Sequence, residues 1–152
     1  MVKLLKDREL YDFLNNDDPD VATEMFKDFH RRIKYSVRVM PENDSEVFYY
    51  FCAFDNEKIV GVLKLRVGNQ GSISYPNCKN WMMHLSIDLD YQGKGYSKLL
   101  IEECMKFCKE NNLDILMSGY SDIGWQRIRS NFHKFAEKYS VKLIDEKEKP
   151  EF

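Results

Sequence analysis

From His84 to Cys108 the hydrophobic pattern changes period across a short glycine turn, and that change narrows the possible folds more than any other feature. Leu85, Ile87 and Leu89 alternate with His84, Ser86 and Asp88, which predicts a strand. After Tyr91-Gln92-Gly93-Lys94-Gly95-Tyr96-Ser97, the residues Leu100, Cys104, Phe107 and Cys108 recur at helical spacing, with Leu99, Ile101 and Met105 widening the stripe. A strand, a glycine turn and a helix leave backbone N–H groups without partners at the turn. The positive end of the helix dipole points the same way, so the turn suits a phosphate. Lys94 and Lys98 would add side-chain charge.

Three kinds of phosphate cradle compete for this turn. A nucleoside-triphosphate loop needs Lys and then Ser or Thr directly after its last glycine, and here Tyr96-Ser97 follows Gly95. A dinucleotide fingerprint needs a third glycine where Lys98 stands, and a strand near the start of its domain. The third kind fits. Gln92-x-x-Gly95-x-Ser97 resembles the Q/R-x-x-G-x-G/A signature of the GCN5-related N-acetyltransferases (GNAT), with Ser97 in place of the final Gly or Ala. That signature cradles the pyrophosphate of acetyl-coenzyme A.

The resemblance implies a set of binding residues. The pyrophosphate would rest on the backbone of Gln92, Gly93, Lys94, Gly95, Tyr96 and Ser97. The pantetheine arm would bond to the backbone of Leu85, Ser86 and Ile87, on a fourth strand splayed from its neighbour. Catalytic side chains carry over less well. Where some members hold a Glu base the chain has Trp81. Where many hold a Tyr acid, Phe135-Ala136-Glu137-Lys138-Tyr139-Ser140-Val141 has Ala136, with Ser140 at the glycine position. His84 is the nearest titratable group to the missing base, and an imidazole has a suitable pKa. Alternation sets it opposite Leu85, and a bulge could reorient it. Tyr120 and His133 are substitutes for the acid, and Gly119 beside Tyr120 would permit close approach.

The remaining pattern agrees with one domain spanning 1–152. Val2–Leu5, Val47–Phe54, Ile59–Val67, Trp81–Leu89, Leu113–Met117 and Val141–Ile144 read as strands. Helices are expected over Glu9–Asn15, after Asp18-Pro19 with Val21, Met25, Phe29 and Ile33 on one face, after the cradle, and from Trp125 to about Tyr139. Asp55-Asn56-Glu57-Lys58 predicts a hairpin and Asn111-Asn112 a helix stop. The order predicts a mixed α/β (α+β) GNAT fold around a central, mostly antiparallel sheet. Its usual seventh strand has almost no room before Phe152, so that strand is either very short or completed by a second copy in a homodimer.

Composition excludes several function classes. A net charge of −2 and a pI near 5.9 argue against nucleic acid as the main partner. The basic run His30-Arg31-Arg32-Ile33-Lys34 reads first as a solvated helix face and second as a contact for an acidic partner or phosphate. No apolar run of spanning length and no signal-peptide core predict a chain that does not enter a membrane. Cys52, Cys78, Cys104 and Cys108 form neither a C-x-x-C pair nor a metal pattern, so reduced thiols in a cytoplasm, and no metal, are expected.

The resemblance implies an enzyme that transfers acetyl from acetyl-coenzyme A to a primary amine, on a protein or a small molecule, by direct attack. Two other classes stay open: a coenzyme A-binding regulatory module without turnover, and an interaction protein whose cradle is an incidental turn.

Overall fold

A computed structural model of the chain describes residues 2–6, 47–68, 78–117 and 122–145. The expected helices between Glu9 and Ile33 and the basic run lie outside these residues. The element order is β1 (Val2–Lys6), β2 (Val47–Asp55), β3 (Lys58–Val67), β4 (Trp81–Ile87), α1 (Tyr96–Glu110), β5 (Ile115–Met117), α2 (Asp122–Tyr139) and β6 (Leu143–Asp145). The six strands form one sheet in chain order. The first four pair antiparallel, and β4–β5 and β5–β6 pair parallel. Each parallel step is made by a helical crossover, as parallel neighbours require. This is the mixed, mostly antiparallel sheet that the sequence predicts.

The sheet sorts its side chains by face. Phe51, Ala53, Leu63, Leu65 and Met82 pack on one side against Leu100, Ile101, Cys104, Met105 and Cys108 of α1 and Phe132, Phe135 and Ala136 of α2. Phe48, Tyr50, Cys52, Phe54, Ile59 and Val62 form a second cluster on the opposite face. Each of these larger apolar side chains, fully buried, stabilises the fold by roughly 1.5–3 kcal/mol. Phe107 adds ring contacts, with its centroid 4.8 Å from Tyr49 and 5.6 Å from Phe51.

Two bulges adjust the alternation. In β3 the pairing steps from Ala53↔Gly61 to Phe54↔Ile59, so Val60 is an extra residue. In β4 the pairing steps from Lys64↔His84 to Leu65↔Met82, so Met83 is extra. Met82 and Leu85 both pack with the helix-side core although they stand three positions apart, because the extra residue reverses the faces. An unbroken strand would have turned His84 to the same face as Met82.

The elements end for visible reasons. Helix α1 stops at Asn111, and Asn112 takes the left-handed conformation with φ 54°. The Leu113 N–H then donates to Cys108 O at 2.8 Å, closing the expected helix stop. Helix α2 ends at Ser140, which holds φ 56° where a glycine would be unstrained, while Val141 N–H donates to Ala136 O at 2.8 Å. The expected alternation runs two residues too far at Leu89. Strand β4 ends at Ile87, and Leu89 is 78% exposed in a single 3-10 turn, Leu89–Tyr91. Leu99, expected on the apolar stripe, is 39% exposed.

Candidate active site

The turn after β4 is built by Asp88. Its backbone N–H makes a last ladder bond to Val60 O at 2.8 Å, its carboxylate accepts from Asp90 N–H at 3.2 Å, and its carbonyl accepts from Tyr91 N–H at 2.8 Å. The carboxylate is buried and lies 3.9 Å from Lys58 Nζ. Tyr91 then ties the turn to the β2–β3 hairpin, its hydroxyl donating to Asp55 Oδ2 at 3.0 Å. That bond, which the phenolate could not donate, is the main cause that raises the Tyr91 pKa. Lys58 and Lys94 place their Nζ atoms 5.0 and 5.1 Å from the Tyr91 ring centre, and Tyr96 meets that ring edge-on at 5.9 Å. The sequence reading missed this Asp55–Lys58–Tyr91 anchor. The Asp88-x-Asp90 turn signal could have located one end of it.

Two glycines then let the chain swing into the helix. Gly93 and Gly95 hold φ +78° and +88°, and among the described residues nothing lies within 4 Å of a Cβ built at either position. Gly95 is the N-cap of α1 and supplies no side-chain cap. From Gly93 to Lys98 no backbone N–H has a hydrogen-bond partner among the described residues. The cradle therefore has open space, orphan donors and the positive helix end in one place. Those are the requirements of a pyrophosphate, so these residues fit coenzyme A. Gln92, Gly93, Lys94 and Gly95 are exposed, and Tyr96 and Ser97 half-buried. Gln92 reaches back to donate from Nε2 to Ile87 O at 3.3 Å, joining the cradle to the end of β4.

Close packing fixes the strand beneath. A Cβ at Gly61 would fall 2.7 Å from Ile87 Cδ1 and 3.1 Å from Leu100 Cδ1, so a larger residue there would push these two side-chain ends aside. Leu85 and Ile87 lean on the helix-side core. The described β4–β5 pairing comprises Trp81↔Leu116 and Met82↔Met117, so among the described residues Leu85, Ser86 and Ile87 pair on their β3 side alone. That leaves a β4 edge of the kind an extended ligand can pair with.

His84 is exposed and faces away from the helices, with Nε2 2.5 Å from Ser86 Oγ. The structure keeps it opposite Leu85, as alternation predicts, and pairs it with Lys64 across β3. His133 stands elsewhere. Its Nε2 lies 3.0 Å from Asp145 Oδ2, the oxygen that also accepts from Arg129 Nε at 2.9 Å, and the buried Asp145 thus ties α2 to β6. Tyr120 and Gly119 lie outside the described residues. Ala136, at the position of the family's Tyr acid, is 4% exposed and packed in the core.

All four cysteines are buried and free, with no disulfide. Burial pushes the Cys52 thiol up to about 12. The Cys104 thiol is also raised, by its contact with Cys108 and by burial. Among the described residues no group of three His, Cys, Asp or Glu side chains could hold a metal, and no helix is long and apolar enough to cross a membrane.

Residues 8–122 match the model of the acetyltransferase (GNAT) family, more than half of the chain. Among solved structures, an aminoglycoside acetyltransferase from an uncultured soil metagenomic sample, in complex with trehalose, is 20% identical over 86% of both chains, with a TM-score of 0.55. The aminoglycoside antibiotic 6'-N-acetyltransferase of Acinetobacter haemolyticus is 10% identical, covering 100% of this chain and 95% of its own, with a TM-score of 0.52. Tetrahymena GCN5 is 15% identical over 86% of this chain and 77% of its own, at a TM-score of 0.51. No curated protein sequence matches the chain. At these identities the structures speak for the fold, and the family match speaks for the class. The chain belongs to the GNAT family of acetyltransferases.

Proposed function

We propose that the protein transfers the acetyl group of acetyl-coenzyme A to a primary amine by direct attack, using the β4–turn–α1 unit as its coenzyme site. The observation that carries this reading is the run of N–H groups from Gly93 to Lys98 that, among the described residues, have no partner and face open space, in a chain of this family. Those N–H groups and the Lys94 and Lys98 ammonium groups would hold the pyrophosphate. The backbone of Leu85, Ser86 and Ile87 would hold the pantetheine arm as an added strand, fixing the thioester beside the Met83 bulge. Fixing one reactant this way lowers the entropic cost of attack.

The amine must lose a proton and the departing thiolate must gain one. His84 is the residue we assign as base: an imidazole suits proton transfer from an amine, and Ser86 Oγ orients the ring. Tyr120 is the residue we assign as acid. A second reading is favoured by two specific residues. Trp81 and the buried Ala136 stand where relatives carry Glu and Tyr, which would suit a coenzyme A-binding module without turnover.

One experiment separates the readings. Thiol release from acetyl-coenzyme A is followed with a panel of amines, together with the mass of each amine and the melting temperature of the protein. Transfer predicts amine-dependent release and an acetylated product. A melting temperature raised by coenzyme A without release supports the second reading, and no response to coenzyme A removes both.

A further inference from the structure

We infer that Tyr91 is a positioning residue of the coenzyme site: it holds the Lys94 ammonium group ready for the coenzyme's pyrophosphate and ties that cation to the β2–β3 hairpin. This rests on the coenzyme reading above and deepens it. Tyr91 would act through Lys94, without itself touching the ligand.

An exposed lysine is by itself a poorly prepared phosphate ligand. Its charge sits on a long flexible stem, and only the conformers that point into the cradle can bind at once. Apparent affinity falls in proportion to that fraction. Lys94 is exposed, and the turn around it raises the fraction. Gly93, at φ +78°, bends the chain between Tyr91 and Lys94, and Lys94 Nζ comes to 5.1 Å from the Tyr91 ring centre. That distance is within cation–π range, so the ring narrows the lysine's freedom.

The ring is itself held in place. Its hydroxyl donates to Asp55 Oδ2 at 3.0 Å, Tyr96 meets it edge-on at 5.9 Å, and Lys58 Nζ lies 5.0 Å from its centre. Asp55 and Lys58 face each other in register where β2 and β3 join. The platform under Lys94 is therefore anchored to the sheet as well as to the exposed turn. A phenol that donates to a carboxylate also carries a more negative ring face, which strengthens its hold on a cation. The two cations on the ring differ in their surroundings. Lys58 lies 3.9 Å from the buried Asp88 carboxylate, which opposes its charge. Lys94 directly precedes Gly95, within the run of N–H groups that face open space, so its charge is the one placed for a phosphate.

Calorimetric titration of coenzyme A into the full chain tests this through a double-mutant cycle over Tyr91→Leu and Lys94→Gln. Tyr91→Leu should weaken binding by roughly two- to fivefold, the factor that an exposed cation–π contact is worth. In the Lys94→Gln background the same change should cost nothing further, because the cation it positions is gone. A residue that merely braced the turn would weaken binding equally in both backgrounds. The cycle is repeated with Tyr91→Phe, a change small enough to keep the fold. Phe retains the ring and loses the tether to Asp55, so its loss should be smaller and should also vanish with Lys94→Gln. Lys109→Gln, which removes one positive charge at the opposite end of α1, should bind as the parent does.

A second arm needs no ligand. In the NMR spectrum of the parent the Lys94 ε-methylene protons should lie upfield, shielded by the face of the Tyr91 ring. They should stay upfield in Tyr91→Phe and move to the position of an unconstrained lysine in Tyr91→Leu. Unshielded protons in the parent, parental affinity in Tyr91→Leu, or equal losses in the two backgrounds would each overturn the inference while leaving the coenzyme site standing. A parent protein that binds no coenzyme A would overturn the coenzyme reading and this inference with it.

Discussion

Replacing Gly95 with Asp separates the fold from the cradle. At φ +88° an L residue costs about 1–2 kcal/mol, and Asp is among the side chains that tolerate the left-handed region best. For a chain of this length that lowers the melting temperature by about 2–8 °C, and circular dichroism should still report a folded protein. The effect on binding is larger. The new carboxylate projects into the open space at the N-terminus of α1, and at about 4 Å it opposes each phosphate charge by roughly 1–4 kcal/mol as the effective dielectric falls from that of water to about 20. Even a hundredfold loss of affinity is decisive. At coenzyme A a hundredfold above the parental Kd, binding stabilises the parent by about 2.7 kcal/mol, a rise of about 5–11 °C. The same concentration would stabilise the variant by about 0.4 kcal/mol, a rise of about 1–2 °C. Differential scanning fluorimetry with and without coenzyme A measures both terms. A Gly95→Asp protein that melts lower yet keeps the full parental shift would refute the cradle.

Other perturbations follow from single positions. Ser140→Gly should relieve the left-handed strain at φ 56° and stabilise the protein by a net 0.5–1 kcal/mol (about 1–4 °C), read by thermal melting, because glycine also loosens the unfolded chain. Ala136→Tyr restores the family's residue type but drives a ring into a filled core; chemical denaturation should show a loss of about 1–3 kcal/mol, and the variant should not transfer acetyl faster than the parent. If His84 and Tyr120 are the base and acid, His84→Ala and Tyr120→Phe should each slow turnover of an identified acceptor by about 10²–10⁴-fold, and His84→Ala should flatten the pH profile between pH 6 and 9; parental rates for both would leave proximity and backbone bonds as the catalysts. Burial raises the Cys52 thiol from 9.0 to about 12, so the folded state holds its proton longer than the unfolded chain. The stability this contributes is complete below pH 9 and drains away as pH rises toward 12, and a thiol reagent should label Cys52 only after unfolding.

The parts legible in the sequence are those whose cause is local. The change from period 2 to helical period around Gly93 and Gly95 located β4, the cradle and α1, because a strand face, a left-handed glycine and a buried helix stripe each leave a mark within a few residues. Asn111-Asn112 marked the helix end for the same reason. What depended on distant partners was not visible. The Tyr91–Asp55 bond that anchors the turn joins residues 36 positions apart. The Met83 bulge is defined by its register against Leu65 and Lys64, and composition does not reveal it. Leu89 kept the strand's alternation in sequence, but Asp88 turned the chain before it could matter. The catalytic residues were the least legible, since their roles belong to a meeting of β4, the segment after β5 and a substrate. His133 illustrates the point: near the family's acid position in sequence, it is drawn aside by Asp145 on β6.

The most direct test of the coenzyme site is a titration of coenzyme A into isotope-labelled protein, followed by the backbone amide NMR spectrum. The account predicts that the amides from Gly93 to Ser97 move most, that those of Leu85, Ser86 and Ile87 move with them, and that all saturate at one equivalent. Amides that stay still across the turn while coenzyme A binds elsewhere, or a spectrum that does not change at all, would contradict it.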